Sequence, residues 1–286
     1  MSIHKNAMIN ADKILYGKNC VIGNNVKINV KGTFRLGDCC VIKDGCTINC
    51  QTFTAGDYLY MGKNVEVGRG GHKNPEATVE IGDHVGIFEN TVINPNSPVK
   101  IGNDVGIGDG VMIWTHGAWL DILQGFPADF GPVTIEDNVW LPARCIVLPN
   151  TTIGNNTVIG IGSIITKDIP SGSLAAGVPC KVIRKNMYPK KVLLPKERAE
   201  LLLPILKRWY DVLCPAKGIK GVKFLGYNPL KNRIELGLPE SIIIYDLNDM
   251  KIYGEQNPIT EDLRDFLRRN GIKFYTGKLF KSMPSI

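Results

Sequence analysis

An aliphatic residue returns every six positions along much of this chain. Ile135, Leu141, Val147, Ile153, Ile159 and Ile165 form one unbroken series. The same step recurs in Ile101, Ile107 and Ile113, in Ile81, Ile87 and Ile93, and more faintly in Leu36, Ile42 and Ile48. A helix asks for apolar spacings of three and four, and the interleaved glycines would each cost it about 1 kcal/mol. A hairpin sheet asks for alternation and paired turns. A period of six fits neither.

Glycine often follows the aliphatic residue, as in Ile-Gly-Asn-Asp-Val-Gly at 101–106 and Ile-Gly-Asn-Asn-Thr-Val at 153–158. Each unit thus supplies one buried aliphatic residue, a second small or β-branched inward residue, and a Gly, Asn or Asp turn that tolerates positive φ. Three units close one triangular coil of about 18 residues, and coils stack at the strand spacing of about 4.8 Å. The pattern predicts an all-β left-handed parallel β-helix over 1–186. Two stretches break it, at 69–78 and at 117–132. The second begins directly after His116 and carries Trp119, Phe126 and Phe130. Loops thrown from a rigid scaffold tend to carry function; packing on a neighbouring subunit is the other reading.

Charge and glycine divide the chain in the same place. Residues 1–186 hold 16 Lys+Arg, 16 Asp+Glu and 24 of the 31 glycines, so the net charge of +7 lies wholly in 187–286. This tail is expected to be a small α+β appendage, with an amphipathic helix over 196–214 despite Pro204, strands at 222–227, 241–246 and 272–276, and a helix near 260–270. Its basic residues are scattered without an RNA-binding aromatic signature, which points to a solvated surface or an anionic partner rather than nucleic acid. No 18-residue apolar run predicts a membrane helix, and the first residues lack the apolar region of a signal peptide. Eight cysteines without a Cys-x-x-Cys pair read as reduced, buried, small hydrophobes of a cytoplasmic protein.

Three stretches carry a resemblance: Asn138-Val139-Trp140, Gly162 to Pro170 (Gly-Ser-Ile-Ile-Thr-Lys-Asp-Ile-Pro), and Ala176 to Arg184 (Ala-Gly-Val-Pro-Cys-Lys-Val-Ile-Arg). Over 133–185 the chain resembles the hexapeptide-repeat acyltransferases, within them the galactoside, maltose and xenobiotic acetyltransferase branch. The resemblance implies acetyl-CoA as acyl donor, a homotrimer, no required metal, and active sites in grooves between neighbouring solenoids. It does not extend past about 190.

Acyl transfer from a thioester needs a base for the acceptor proton, and neutral imidazole serves near pH 7. His116 combines a repeat edge, the mouth of the long loop and the family's histidine position, although the stretch from Ile113 is two residues shorter than in the galactoside branch. His84 reads as a turn residue, His72 as a solvent-facing loop residue, and His4 lies in an unpatterned terminus. Matching positions place Trp140 near the thioester, Ala143 and Ile161 along the pantetheine arm, and Thr166, Lys167, Lys181 and Arg184 near the nucleotide. Plain groove packing is the lesser reading of Trp140. For the acceptor, Trp114 and Trp119 offer faces to a sugar ring, Asp121 a carboxylate, and Asn90 a loosely aligned family asparagine; Trp119 could instead wedge into an adjacent subunit.

The expected function is therefore O-acetylation of a sugar hydroxyl in surface-polysaccharide or lipopolysaccharide biosynthesis. N-acetylation of a nucleotide-linked amino sugar is the alternative. A γ-type carbonic anhydrase would need a three-histidine cluster from His72, His84 and His116, and a non-catalytic scaffold would bind no CoA.

Overall fold

A computed structural model describes residues 2–187, 191–238, 241–254 and 257–273. The chain divides into two compact units, 1–190 and 191–286.

In the first unit each coil contributes a strand to each of three parallel faces. Ile107 pairs with Leu141 on the first face, Ile113 with Val147 on the second, and Ile135 with Ile153 on the third. The six-residue series therefore runs around a coil, and every member stacks on its counterpart one coil away. These side chains are fully buried and form one continuous core. Each such burial contributes about 1.5–3 kcal/mol. Asn138, Asn150 and Asn156 take the left-handed backbone at the corners, with φ of 56°, 58° and 56°, a conformation their short amides tolerate.

The N-terminal coils are longer than 18 residues. Val21 pairs with Val41, and Val41 with Tyr60, because their second and third faces carry four-residue strands such as Lys27–Val30 and Thr33–Leu36. This is why the period is faint there. At the other end, Lys181–Arg184 turns back antiparallel to Leu174–Ala176, and the Cys180 N–H donates to Ile164 O at 2.7 Å. The reversal covers an edge that would otherwise present unpaired backbone groups.

Three successive coils widen at one corner, between the second and third faces. Phe53 pairs with Val79, Val79 with Val99, and Val99 with Val133, steps well above 18 in the first and third cases and slightly above it in the second. The additions are the loop 69–78, the corner 94–98 and the loop 117–132. The middle one is too short to register as an interruption in the sequence.

In the second unit, helix α1 (Pro195–Arg208) opens on a proline at its first position, where no N–H is needed. The Leu194 N–H donates to the Glu197 carboxylate at 2.9 Å. A widened π-turn, Trp209–Leu213, leads into the short α2 (Cys214–Ala216), so the helical run passes Pro204 and ends two residues beyond the expected 214. Strands Lys223–Asn228, Arg233–Gly237, Ile242–Asp246 and Lys251–Tyr253 form an antiparallel sheet in chain order. Helix α3 spans Pro258–Arg269. The second strand interleaves Arg233 and Glu235 with its apolar residues and the fourth is only three residues long, and neither was expected. The strand expected at 272–276 falls mostly outside the described residues, and 272–273 are not in a strand.

No cysteine is in a disulfide, and seven of the eight are buried. Burial pushes the Cys46 thiol up to about 11 and Cys50 up to about 12. Among the described residues no helix is long and apolar enough to cross a membrane.

Candidate active site

The widened corner is built around Asn94, the last residue of the second-face strand Val92–Asn94, whose side chain is fully buried. Its Nδ2 donates to Gly70 O at 3.0 Å. Its Oδ1 accepts from Asn96 N at 3.3 Å and lies 3.0 Å from His116 Nδ1. Its main-chain oxygen accepts from Thr115 Oγ1 at 2.7 Å, and that hydroxyl oxygen accepts from Ser97 N at 2.9 Å. Groups lost to solvent here are thus hydrogen-bonded within the protein, as burial demands.

His116 is half-buried, with Nδ1 on Asn94 and Nε2 toward Gly70. Phe130 stacks on the imidazole, with centroids 6.1 Å apart and planes at 16°, and Trp114 meets it edge-on at 6.4 Å. The long loop supplies Phe130 because it returns as a strand: His116–Gly117 pairs antiparallel with Asp129–Phe130. Asn150 of the next coil clamps that return, its Nδ2 donating to Asp129 Oδ1 at 2.7 Å and to Phe130 O at 3.0 Å. A Cβ on Gly131 would lie only 1.6 Å from Asn150 Oδ1, so any larger residue there would push the Asn150 side chain out of this clamp.

The other acceptor candidates separate. Trp114 is at the ring, while Trp119 is 95% exposed at the outer part of the loop. The carboxylate of Asp121 is engaged in its own turn, where Oδ1 accepts from Leu123 N at 2.9 Å and Oδ2 from Gln124 Nε2 at 3.2 Å. Asn90 stands at a different corner, between the first and second faces, in a left-handed turn with φ 58°. It is not beside His116 in the same chain.

The donor candidates fall into two groups. Thr166 and Lys167 are exposed on the same corner as His116, two coils further on. Trp140 lies on the first face, across the triangle from that corner, and is 59% exposed. Ala143 and Ile161 follow at the corner between the first and second faces, and Ile161 is also exposed. Lys181 and Arg184 are exposed at the two ends of the capping strand. Among the histidines, His84 stacks on Tyr58 at 4.8 Å at the corner between the third and first faces, and His72 Nδ1 lies 2.5 Å from Arg69 O. His84 is thus on a different corner from His116, and among the described residues no three metal-ligating side chains gather.

Asn94 and Gly70 were not singled out by the sequence, and Phe130 was named only as one of the aromatics of the long loop. Gly70 lies 24 positions before Asn94, and His116 lies 22 after it; the three meet only because consecutive coils stack.

Residues 132–167 match the family model for bacterial transferase hexapeptide, six repeats. The solenoid carries the repeat of that family over these residues. Over 134 residues the hexapeptide-repeat chain is 35% identical to the galactoside O-acetyltransferase of Escherichia coli (strain K12), covering 45% of this chain and 57% of that one. It thus spans little more than half of that relative. A hexapeptide-repeat acetyltransferase from Vibrio cholerae O1 biovar eltor, solved with acetyl coenzyme A, is 26% identical over 46% of this chain and 70% of that one, with a TM-score of 0.40. A galactoside acetyltransferase solved with coenzyme A is 30% identical over 50% and 70%, with a TM-score of 0.37.

Proposed function

We propose that this chain is an acetyl-CoA-dependent O-acetyltransferase acting on a sugar hydroxyl in surface-polysaccharide or lipopolysaccharide biosynthesis, with His116 as general base. The observation that carries the reading is the imidazole itself. One nitrogen is tied to a buried amide, and the other opens past a glycine beside an aromatic-rich loop. Nε2 can take the proton of an acceptor hydroxyl as its oxygen attacks, then return it to the departing sulfur.

Acetyl-CoA would supply an activated thioester carbonyl. The residues expected to hold it have suitable chemistry: the exposed indole of Trp140 suits the thioester end, the exposed Ile161 the pantetheine arm, and the exposed Lys167, Lys181 and Arg184 the phosphates. Base and indole lie on opposite sides of the triangle, in successive coils, so a single chain does not bring them together. A neighbouring copy would, which supports a homotrimer with shared sites.

The test is a thermal-shift titration with acetyl-CoA followed by transfer to a sugar panel read by mass spectrometry, for wild type and His116→Ala. The variant should keep acetyl-CoA affinity and lose about two to four orders of magnitude in transfer. Retained turnover would remove His116 from the mechanism, and product found only on amino sugars would replace O-acetylation by N-acetylation.

A further inference from the structure

We infer that Asn94 is a positioning residue for the base: it fixes the His116 imidazole as the tautomer with hydrogen on Nδ1 and the lone pair on Nε2. Its catalytic consequence rests on the acetyltransferase reading above; its effect on the ring does not.

The two ends of a side-chain amide are similar in size and opposite in chemistry. One end of Asn94 lies 3.0 Å from Gly70 O. A carbonyl oxygen only accepts, so this end must be the NH2 group. The other end is then Oδ1, which already accepts from the Asn96 N–H. Oxygen cannot donate, so its 3.0 Å contact with His116 Nδ1 is a hydrogen bond only if that nitrogen carries the hydrogen. In a neutral ring the remaining nitrogen, Nε2, then holds the lone pair. Gly70 O thus sets the amide, and the amide sets the imidazole.

Asn94 is fully buried, so solvent does not compete for these contacts and a wrong orientation would leave several groups unsatisfied. Its main chain contributes as well. Asn94 O accepts from Thr115 Oγ1, so one residue grips both members of the Thr115-His116 pair. Asparagine is the side chain that meets every demand. Aspartate would face Nδ1–H with an oxygen but would turn a second oxygen toward Gly70 O, and leucine would satisfy neither partner. The loop 69–78 enters the same network through Gly70 and also lies against Nε2, so the segment narrowing the approach to the base is tied to the amide that orients it.

The test uses full-length protein labelled with 15N-histidine. Two-bond 1H–15N spectra of the neutral ring are recorded for wild type, Asn94→Ala and Asn94→Asp, beside steady-state transfer from acetyl-CoA to a panel of methyl pyranosides. Wild type should show Nδ1–H and an unprotonated Nε2. Asn94→Ala should mix in the Nε2–H form and lower kcat about ten- to a hundredfold, with the acetyl-CoA KM within about twofold. Asn94→Asp should keep the Nδ1–H form and recover much of kcat. A wild-type ring protonated on Nε2 overturns the inference even if neither variant folds. So does an Asn94→Ala ring that stays wholly Nδ1–H. If the spectra are as expected and wild type acetylates no pyranoside, the role of Asn94 toward the ring stands and the sugar-acceptor reading falls.

Discussion

Gly70 lies against His116: a Cβ on Gly70 would sit 3.6 Å from Nε2 and 3.8 Å from Cε1. The backbone at Gly70 is outside the left-handed region, and 3.6 Å is an ordinary contact, so the fold itself accepts alanine there. A hydroxyl that gives its proton to Nε2 must come within about 2.6–3.2 Å of it, and a methyl group at this place narrows that approach. Gly70→Ala should therefore raise the acceptor KM or lower acceptor kcat/KM by about tenfold or more, with melting temperature and acetyl-CoA binding unchanged. Unaltered acceptor kinetics would show that substrate enters from elsewhere.

The separation of His116 from Trp140 across the triangle makes a second expectation. If each site joins the corner of one copy to the first face of the next, His116→Ala and Trp140→Ala damage different halves of it. Each variant alone should be nearly inactive. Co-expressed, they should form mixed oligomers in which some interfaces pair an intact histidine with an intact indole, and transfer should return. Mixing the purified proteins without subunit exchange should restore nothing. If both residues serve within one chain, co-expression gives no recovery.

The solenoid was legible because its inward positions are interchangeable and repeated: Ile135, Leu141 and Val147 face the same core, and their period survives any choice among aliphatics. His116 was legible because a loop interrupts that period directly after it. Asn94 was hidden by the same logic, since its partners belong to the coils on either side. Asn90 and Asp121 show the reverse. Their residue types suit ligands, yet asparagine is also what a left-handed corner takes and aspartate what a turn cap takes, and local demands account for both placements. In the second unit, Arg233–Gly237 was missed because Arg233 and Glu235 break its apolar run, and Lys251–Tyr253 because three residues carry no readable period.

Asp246 gives the second unit a pH dependence of known sign. Burial alone would raise its carboxyl, but the Asn248 N–H at 2.9 Å, the Arg233 guanidinium at 3.0 Å and the Asp249 N–H outweigh it and hold the group below the ordinary carboxylate range. A carboxyl with a depressed folded-state pKa contributes stability that is fully present above its unfolded value and lost as pH falls through the folded one. Melting of this unit should be flat near neutrality and fall as pH drops below about 4. Asp246→Asn should lower the melting temperature at pH 7 and flatten the acid limb. An acid limb as steep as that of wild type would assign the dependence to other carboxylates.

Arg184 tests the donor end. It is the last residue of the strand Lys181–Arg184, exposed and paired in register with Leu174, so its backbone closes the solenoid whatever its side chain does. If the guanidinium meets the 3′-phosphate of acetyl-CoA, a charge-assisted contact of about 1.5–3 kcal/mol is at stake before solvent screening. Arg184→Ala should then weaken acetyl-CoA by about tenfold and leave the melting temperature near wild type. The donor lacking the 3′-phosphate separates this from a structural effect. Wild type should bind 3′-dephospho-acetyl-CoA more weakly than acetyl-CoA, whereas Arg184→Ala should bind the two almost alike. Lys181→Ala, at the other end of the same strand, provides the internal comparison: a comparable loss places both cations on one phosphate group, and no loss leaves Arg184 acting alone. If Arg184→Ala weakens both donors equally, the side chain does not hold the 3′-phosphate, and its charge is that of a solvated strand end.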